Sequence, residues 1–148
     1  MDGSISGETA YNTDPYTSGK MGVSLTSVEK LKRAVKMARD NKLQLAVHAM
    51  GDKAIQTVID VTKEMAPWLT TMPSVRIKHA SLMTDQMFTE IANSKMNYAL
   101  VTQPIFFFAE DESYRHYLSP AQFKLAYRVK TMLNSQAMLG LSSDAPCT

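Results

Sequence analysis

Compact apolar runs alternate along this chain with longer stretches whose apolar residues recur every third or fourth position. Leu43–His48, Val75–His79, Asn97–Gln103 and Met138–Ser143 have the length and residue types of strands. Between them the spacing predicts helices. Thr26 and Glu29 form a capping box ahead of Val28, Leu31, Val35 and Ala38, with the helix fading near Asn41. Asp52 is the expected N-cap of a helix whose buried stripe is Ile55, Val58, Ile59 and Met65, and Pro67 closes it. Thr84 caps a third helix to about Lys95, with Met87 and Ile91 facing inward. Ser119-Pro120 opens a fourth, carried by Phe123, Ala126, Tyr127, Lys130 and Leu133 to about Ser135. Ile105–Ser119 reads as a long connection, apolar at first and then charged.

The order is αβαβαβαβ with no hairpin signal, which predicts an α/β fold with parallel strands. The strand ends recur at multiples of roughly thirty residues, the spacing of β/α units in a barrel. Four such units make a partial (β/α)8 TIM barrel, half of the closed form. Residues 1–148 are expected to be one domain, with 1–24 as loop and 25–148 as the α/β units.

At 148 residues, with 45% hydrophobic and 20% charged residues, the chain is long and apolar enough for one globular core. A net charge of +2 argues against a nucleic-acid partner, and no apolar run approaches the ~20 residues of a membrane span. Lys30, Lys32, Arg33, Lys36 and Arg39 cluster on a helical pattern, where a solvated outer face explains them. Cys147 is the only cysteine, which excludes an internal disulfide and a cysteine zinc cage. Met1–Gly7 has none of the parts of a signal peptide, so the compartment stays open, with the cytoplasm favoured.

Chemistry concentrates at the strand ends. His48, His79 and Asp144 each end or follow an apolar run, and parallel strands open their C-terminal ends on one face. Alone, each has an ordinary reading, as a polar-rim histidine or a turn former before Pro146. Together they form a candidate metal set. Strand alternation puts Val75, Ile77 and His79 on one face and Arg76 and Lys78 on the other, with His79 expected at the mouth of the barrel interior. Gln103 is either a substrate contact or a strand-end amide bonding its own backbone. His116 reads as a surface or loop histidine, because it ends no strand. Phe106-Phe107-Phe108 lines a pocket, fills core, or forms a surface normally covered. The 11 methionines read as core filler.

The blocks His48-Ala49-Met50-Gly51-Asp52-Lys53-Ala54, Arg76-Ile77-Lys78-His79-Ala80, Gln103-Pro104 and Ser142-Ser143-Asp144-Ala145-Pro146 resemble the amidohydrolase superfamily. The nearest branch is similar to N-substituted formamide deformylases, and Asp2-Gly3-Ser4-Ile5-Ser6-Gly7 resembles its loop after the fourth barrel strand. With Tyr127-Arg128, the likeness runs over nearly the whole chain. It implies a metal-dependent hydrolase of C–N bonds other than peptide bonds, with a small-molecule amide substrate and a divalent ion, zinc by expectation. His48, His79 and Asp144 would then be metal ligands, and Asp144 also the catalytic proton carrier.

The family's His-x-His pair and carboxylated lysine have no counterpart here. The chain is therefore expected to be the C-terminal half of a barrel, cut at both ends and inactive alone. Lys78 stands where the branch usually has an acid. Directed at the helix layer, it would snorkel or pair with an acid; leaning toward the ion, it would weaken cation binding. Two rival readings remain: a non-catalytic α/β module, and a half-barrel that forms homo-oligomers through its open sheet edges.

Overall fold

Residues 1–145 are described by the computed structural model of the chain; Pro146 and Cys147 lie outside the described residues. Helix α1 (Val28–Asp40) buries Leu31, Val35 and Ala38 and turns its five clustered cations to solvent. Its cap is Ser27, whose hydroxyl accepts from the Lys30 amide at 3.3 Å, one residue after the expected box.

Two β/α repeats and a third strand follow: β1 (Leu45–Ala49), α2 (Asp52–Thr62), β2 (Val75–His79), α3 (Asp85–Asn93) and β3 (Tyr98–Thr102). Gly51, not Asp52, is the cap of α2; Asp52 instead accepts from the Thr13 amide at 2.9 Å. This helix stops at Thr62, well before Pro67, and there the Thr62 hydroxyl donates to the Val58 carbonyl (2.7 Å) and meets the Tyr98 hydroxyl (2.8 Å). Thr84 caps α3 as the pattern predicts, through the Met87 amide.

The last third departs further from the periodicity. The expected connection holds two short helices, α4 (Pro104–Ala109) and α5 (Asp111–Tyr117), the second carrying an Asp111–Arg115 ion pair one turn apart. The expected helix from Pro120 divides into α6 (Pro120–Phe123) and α7 (Val129–Leu133). Ala126 bridges to Leu82, the Tyr127 amide donates to the Ser81 carbonyl at 2.8 Å, and Tyr127 is left-handed (φ 45°). Tertiary hydrogen bonds outweigh the local helix there. Strand β4 (Met138–Leu141) completes the sheet.

All four strands are parallel, in the order β1-β2-β3-β4. Register sorts their side chains into rows, since paired residues point to the same face. Val47, Ile77, Leu100 and Leu139 form a row that packs with Ile55, Val58, Ile59, Met87 and Ile91 of the helices. His48, Lys78, Val101 and Gly140 form a neighbouring row on the opposite, uncovered face, as do Ala46, Arg76, Ala99 and Met138. The expected assignment of the Val75–Ile77 row to the barrel interior is therefore reversed. Helices cover one side of the sheet only, and apolar β2 residues go where they lose most water. Lys78 faces the open side, not the helix layer.

The N-terminal loop builds a second core. Ile5, Ala10 and Tyr16 are buried with Tyr114, Leu118 and Tyr127. It crosses the start of α2 closely: a Cβ on Gly51 would stand 2.2 Å from the Tyr11 carbonyl oxygen.

Ile77 is fully buried, whereas Met138 on the edge strand is 59% exposed. Ile77→Ala should cost about 2–5 kcal/mol in urea unfolding, and Met138→Ala about 0.5 kcal/mol or less. Equal losses at the two positions would mean that the covered face is wrongly assigned.

Candidate metal centre

β1 presents His48 on the open face, in register with Lys78. At the end of β2 the backbone turns left-handed at two successive non-glycine residues, His79 (φ 70°) and Ala80 (φ 48°). Such a conformation is costly for residues with a Cβ and gathers at functional sites. It takes His79 out of strand alternation, and its ring meets that of His48 edge to face, with centroids 4.5 Å apart. The two imidazoles, far apart in sequence, are neighbours at the C-terminal ends of adjacent strands.

Both rings hold a buried Nδ1 without a hydrogen-bond partner. His48 Nδ1 lies 3.2 Å from Asp2 Oδ1, off the line of a good hydrogen bond. His79 is 5% exposed, and the Phe106 ring stacks near it at 6.3 Å. Burial, then the neighbouring His48, pulls His79 from its ordinary 6.5 down to about 4, against an upward pull from Asp144. The ring is neutral near pH 7, with a lone pair to offer.

Asp144 also stands at a left-handed residue (φ 61°). Its Oδ1 accepts from Lys78 Nζ at 3.0 Å. That hydrogen bond foremost, then the charge of Lys78 and of the two histidines, holds its carboxyl below the usual range. Among the described residues, no group of three or more His, Cys, Asp or Glu side chains is placed to hold an ion. The donor set of the histidine pair fits a divalent cation: two imidazoles with centroids 4.5 Å apart, one of them buried with an unpartnered Nδ1 and the other beside the Asp2 carboxylate. Lys78 engages Oδ1 of Asp144, and that oxygen becomes free for an ion only when the pair opens.

Gln103 is fully buried and donates to the Ser142 hydroxyl at 2.8 Å, rather than to its own backbone. It braces the segment that leads to Asp144. His116 is exposed on α5, against the Tyr117 ring. The phenylalanine run divides its tasks: Phe106 adjoins His79, Phe107 packs on Phe123 and Tyr127, and Phe108 is 76% exposed. A cleft lined by Thr70–Pro73, Met96–Tyr98 and Met138 opens at the other end of the sheet, away from these histidines.

Asp2 has a part that periodicity does not reveal. Its buried carboxylate accepts from the amides of Tyr11 (2.9 Å), Met50 (3.2 Å) and Gly51 (2.8 Å) while standing beside His48. It ties the N-terminal loop to the turn after β1. Its partners are distant in sequence, so the only signal was the Asp-Gly block within the family resemblance.

A family model described as the amidohydrolase family matches residues 1–148. Among curated proteins, the chain is 29% identical over 98% of its length to YtcJ of Bacillus subtilis, whose name places it among the amidohydrolases. Two crystal structures of uncharacterized metal-dependent hydrolases superpose on 99% of the chain. The Pyrococcus furiosus protein gives a TM-score of 0.82 at 30% identity, and the Pyrococcus horikoshii OT3 protein 0.81 at 34%. The chain spans 27% of the Bacillus protein and 30% and 29% of the two archaeal chains. The four parallel strands and their helices thus correspond to part of a longer chain in these relatives.

The low value at His79 gives stability a defined pH dependence. An unfolded chain binds a proton at this residue between about pH 6.5 and 4, and the native chain does not. The contribution is fully present above pH 6.5 and is lost as pH falls toward 4. In metal-free urea titrations, the wild-type midpoint should fall more steeply over that window than that of His79→Gln. Parallel curves would show that the ring is not held neutral.

Proposed function

The chain belongs to the amidohydrolase family, and we propose that it carries the second half of a metal-dependent hydrolase site for amide or formamide-like C–N bonds other than peptide bonds. The observation that carries this reading is the meeting of His48 and His79, ring to ring, with both buried Nδ1 atoms unpartnered. The likeness to two metal-dependent hydrolases from Pyrococcus supports the metal-dependent, hydrolytic part of this reading.

His48 and His79 would hold the ion, and Asp144 would join them once released from Lys78. A zinc-type ion bound here supplies polarisation of the substrate carbonyl and lowers the pKa of a water to about 7. The chain's own residues do the rest. The neutral His79 ring keeps its lone pair because burial opposes protonation. Ionised Asp144 takes a proton from the attacking water at a carboxylate oxygen and returns it to the leaving nitrogen. Phe106 limits water on one side of His79. Gln103, buried behind Ser142, would reach a substrate only by giving up that hydrogen bond. The partner is a small amide, and turnover belongs to a longer barrel that closes the open face.

A second reading has its own observation. Edge strand β4 exposes Met138 and Leu141, at 59% and 63%, beside an uncovered sheet face. A second copy of the half-barrel would cover both edge and face.

Zinc titration of the purified chain separates these readings. His48→Ala and His79→Ala should each weaken zinc binding by about tenfold or more. Unchanged affinity in both variants would remove the histidine pair from the site. The chain alone should show no zinc-dependent turnover of formanilide-type substrates, and measurable turnover would contradict the divided-site reading. On size-exclusion chromatography, the assembly reading expects a dimer at high concentration, and a strict monomer would count against it.

A further inference from the structure

We propose that Lys78 is a tethered cation that competes with the divalent ion for Asp144, so that metal loading of this site requires displacement of the lysine. The inference rests on the metal-site reading above and adds a residue that sets affinity within it.

Register places Lys78 beside His48 on the uncovered face of the sheet. Its ammonium lies 3.0 Å from Asp144 Oδ1, and Asp144 is its one ion-pair partner among the described residues. Both side chains are largely withdrawn from water, at 33% and 24% exposed, which strengthens the pair relative to a surface one. Arg76, two residues earlier in β2, shares the face and has a buried Nε without a partner. Around the histidine pair stand the Lys78 ammonium, the Asp144 carboxylate that it binds, and the Asp2 carboxylate, which three backbone amides already engage. A divalent ion entering there meets the like charge of Lys78 and finds Asp144 already paired. Lys78 is long and flexible enough to swing out toward the open side, so displacement is physically available.

The consequence is a site whose histidines are ready and whose carboxylate is guarded. Lys78 acts through Asp144 and is a positioning residue.

Zinc affinity of the full chain, measured by competition with a chromophoric chelator, tests this directly. Lys78→Gln should bind zinc roughly tenfold more tightly than wild type, while Lys78→Arg, which keeps the charge, should stay weak. Equal affinity in wild type, Lys78→Gln and Lys78→Arg would overturn the proposal while leaving the histidine site intact. Absence of zinc binding in all three would overturn it together with the metal-site reading. A measurement on the wild type guards against a variant that does not fold. Saturating zinc should free the Lys78 amine and raise its acetylation rate, read by peptide mass spectrometry, and an unchanged rate would overturn the displacement.

Discussion

Burial of one apolar row decides which side chains can face a reaction in this chain. Val47, Ile77 and Leu100 pair in register and pack against α2 and α3, and each such side chain is worth about 1.5–3 kcal/mol when withdrawn from water. Because strand side chains alternate, fixing that row forces His48 and Lys78 to the opposite face. A slip of one residue would bury the lysine among aliphatic side chains and expose Ile77. The site is therefore a by-product of packing up to the last residue of each strand. Beyond it, backbone conformation takes over: the left-handed residues at His79, Ala80 and Asp144 bring functional groups where strand geometry alone would not.

Much of this was legible in the chain, for identifiable reasons. Alternation and helical spacing located β1 to β4 and α1 to α3, because each buries a clean stripe and its punctuation is local, as with Thr84 at α3. The strand ends carrying His48 and His79 could be found because parallel topology sends all such ends one way. What escaped depends on partners distant in sequence. The split between α6 and α7 comes from hydrogen bonds of Ala126 and Tyr127 to the Ser81–Leu82 turn. The facing of Val75 and Ile77 turned on whether helices or a closed barrel cover them, a question that alternation cannot answer. The role of Asp2 could not be read from periodicity for the same reason: its partners are brought to it only by the fold.

The electrostatics of the open face follow from that arrangement. A neutral histidine stacked near phenylalanine, a second histidine beside a buried carboxylate, and a lysine-bound aspartate share one end of the sheet. Membership of the amidohydrolase family and close superposition on metal-dependent hydrolases give these groups a chemical context. Spanning less than a third of those relatives, the chain shows how far one side of such a barrel organises its own groups.

The central claim is that His48 and His79 share one cation. X-ray absorption of the chain loaded with one equivalent of zinc measures this most directly. Two imidazole nitrogens at about 2.0–2.1 Å, with the multiple-scattering signature of histidine, are the result expected here. A spectrum of oxygen ligands alone, or one left unaltered by replacing both histidines, would contradict it.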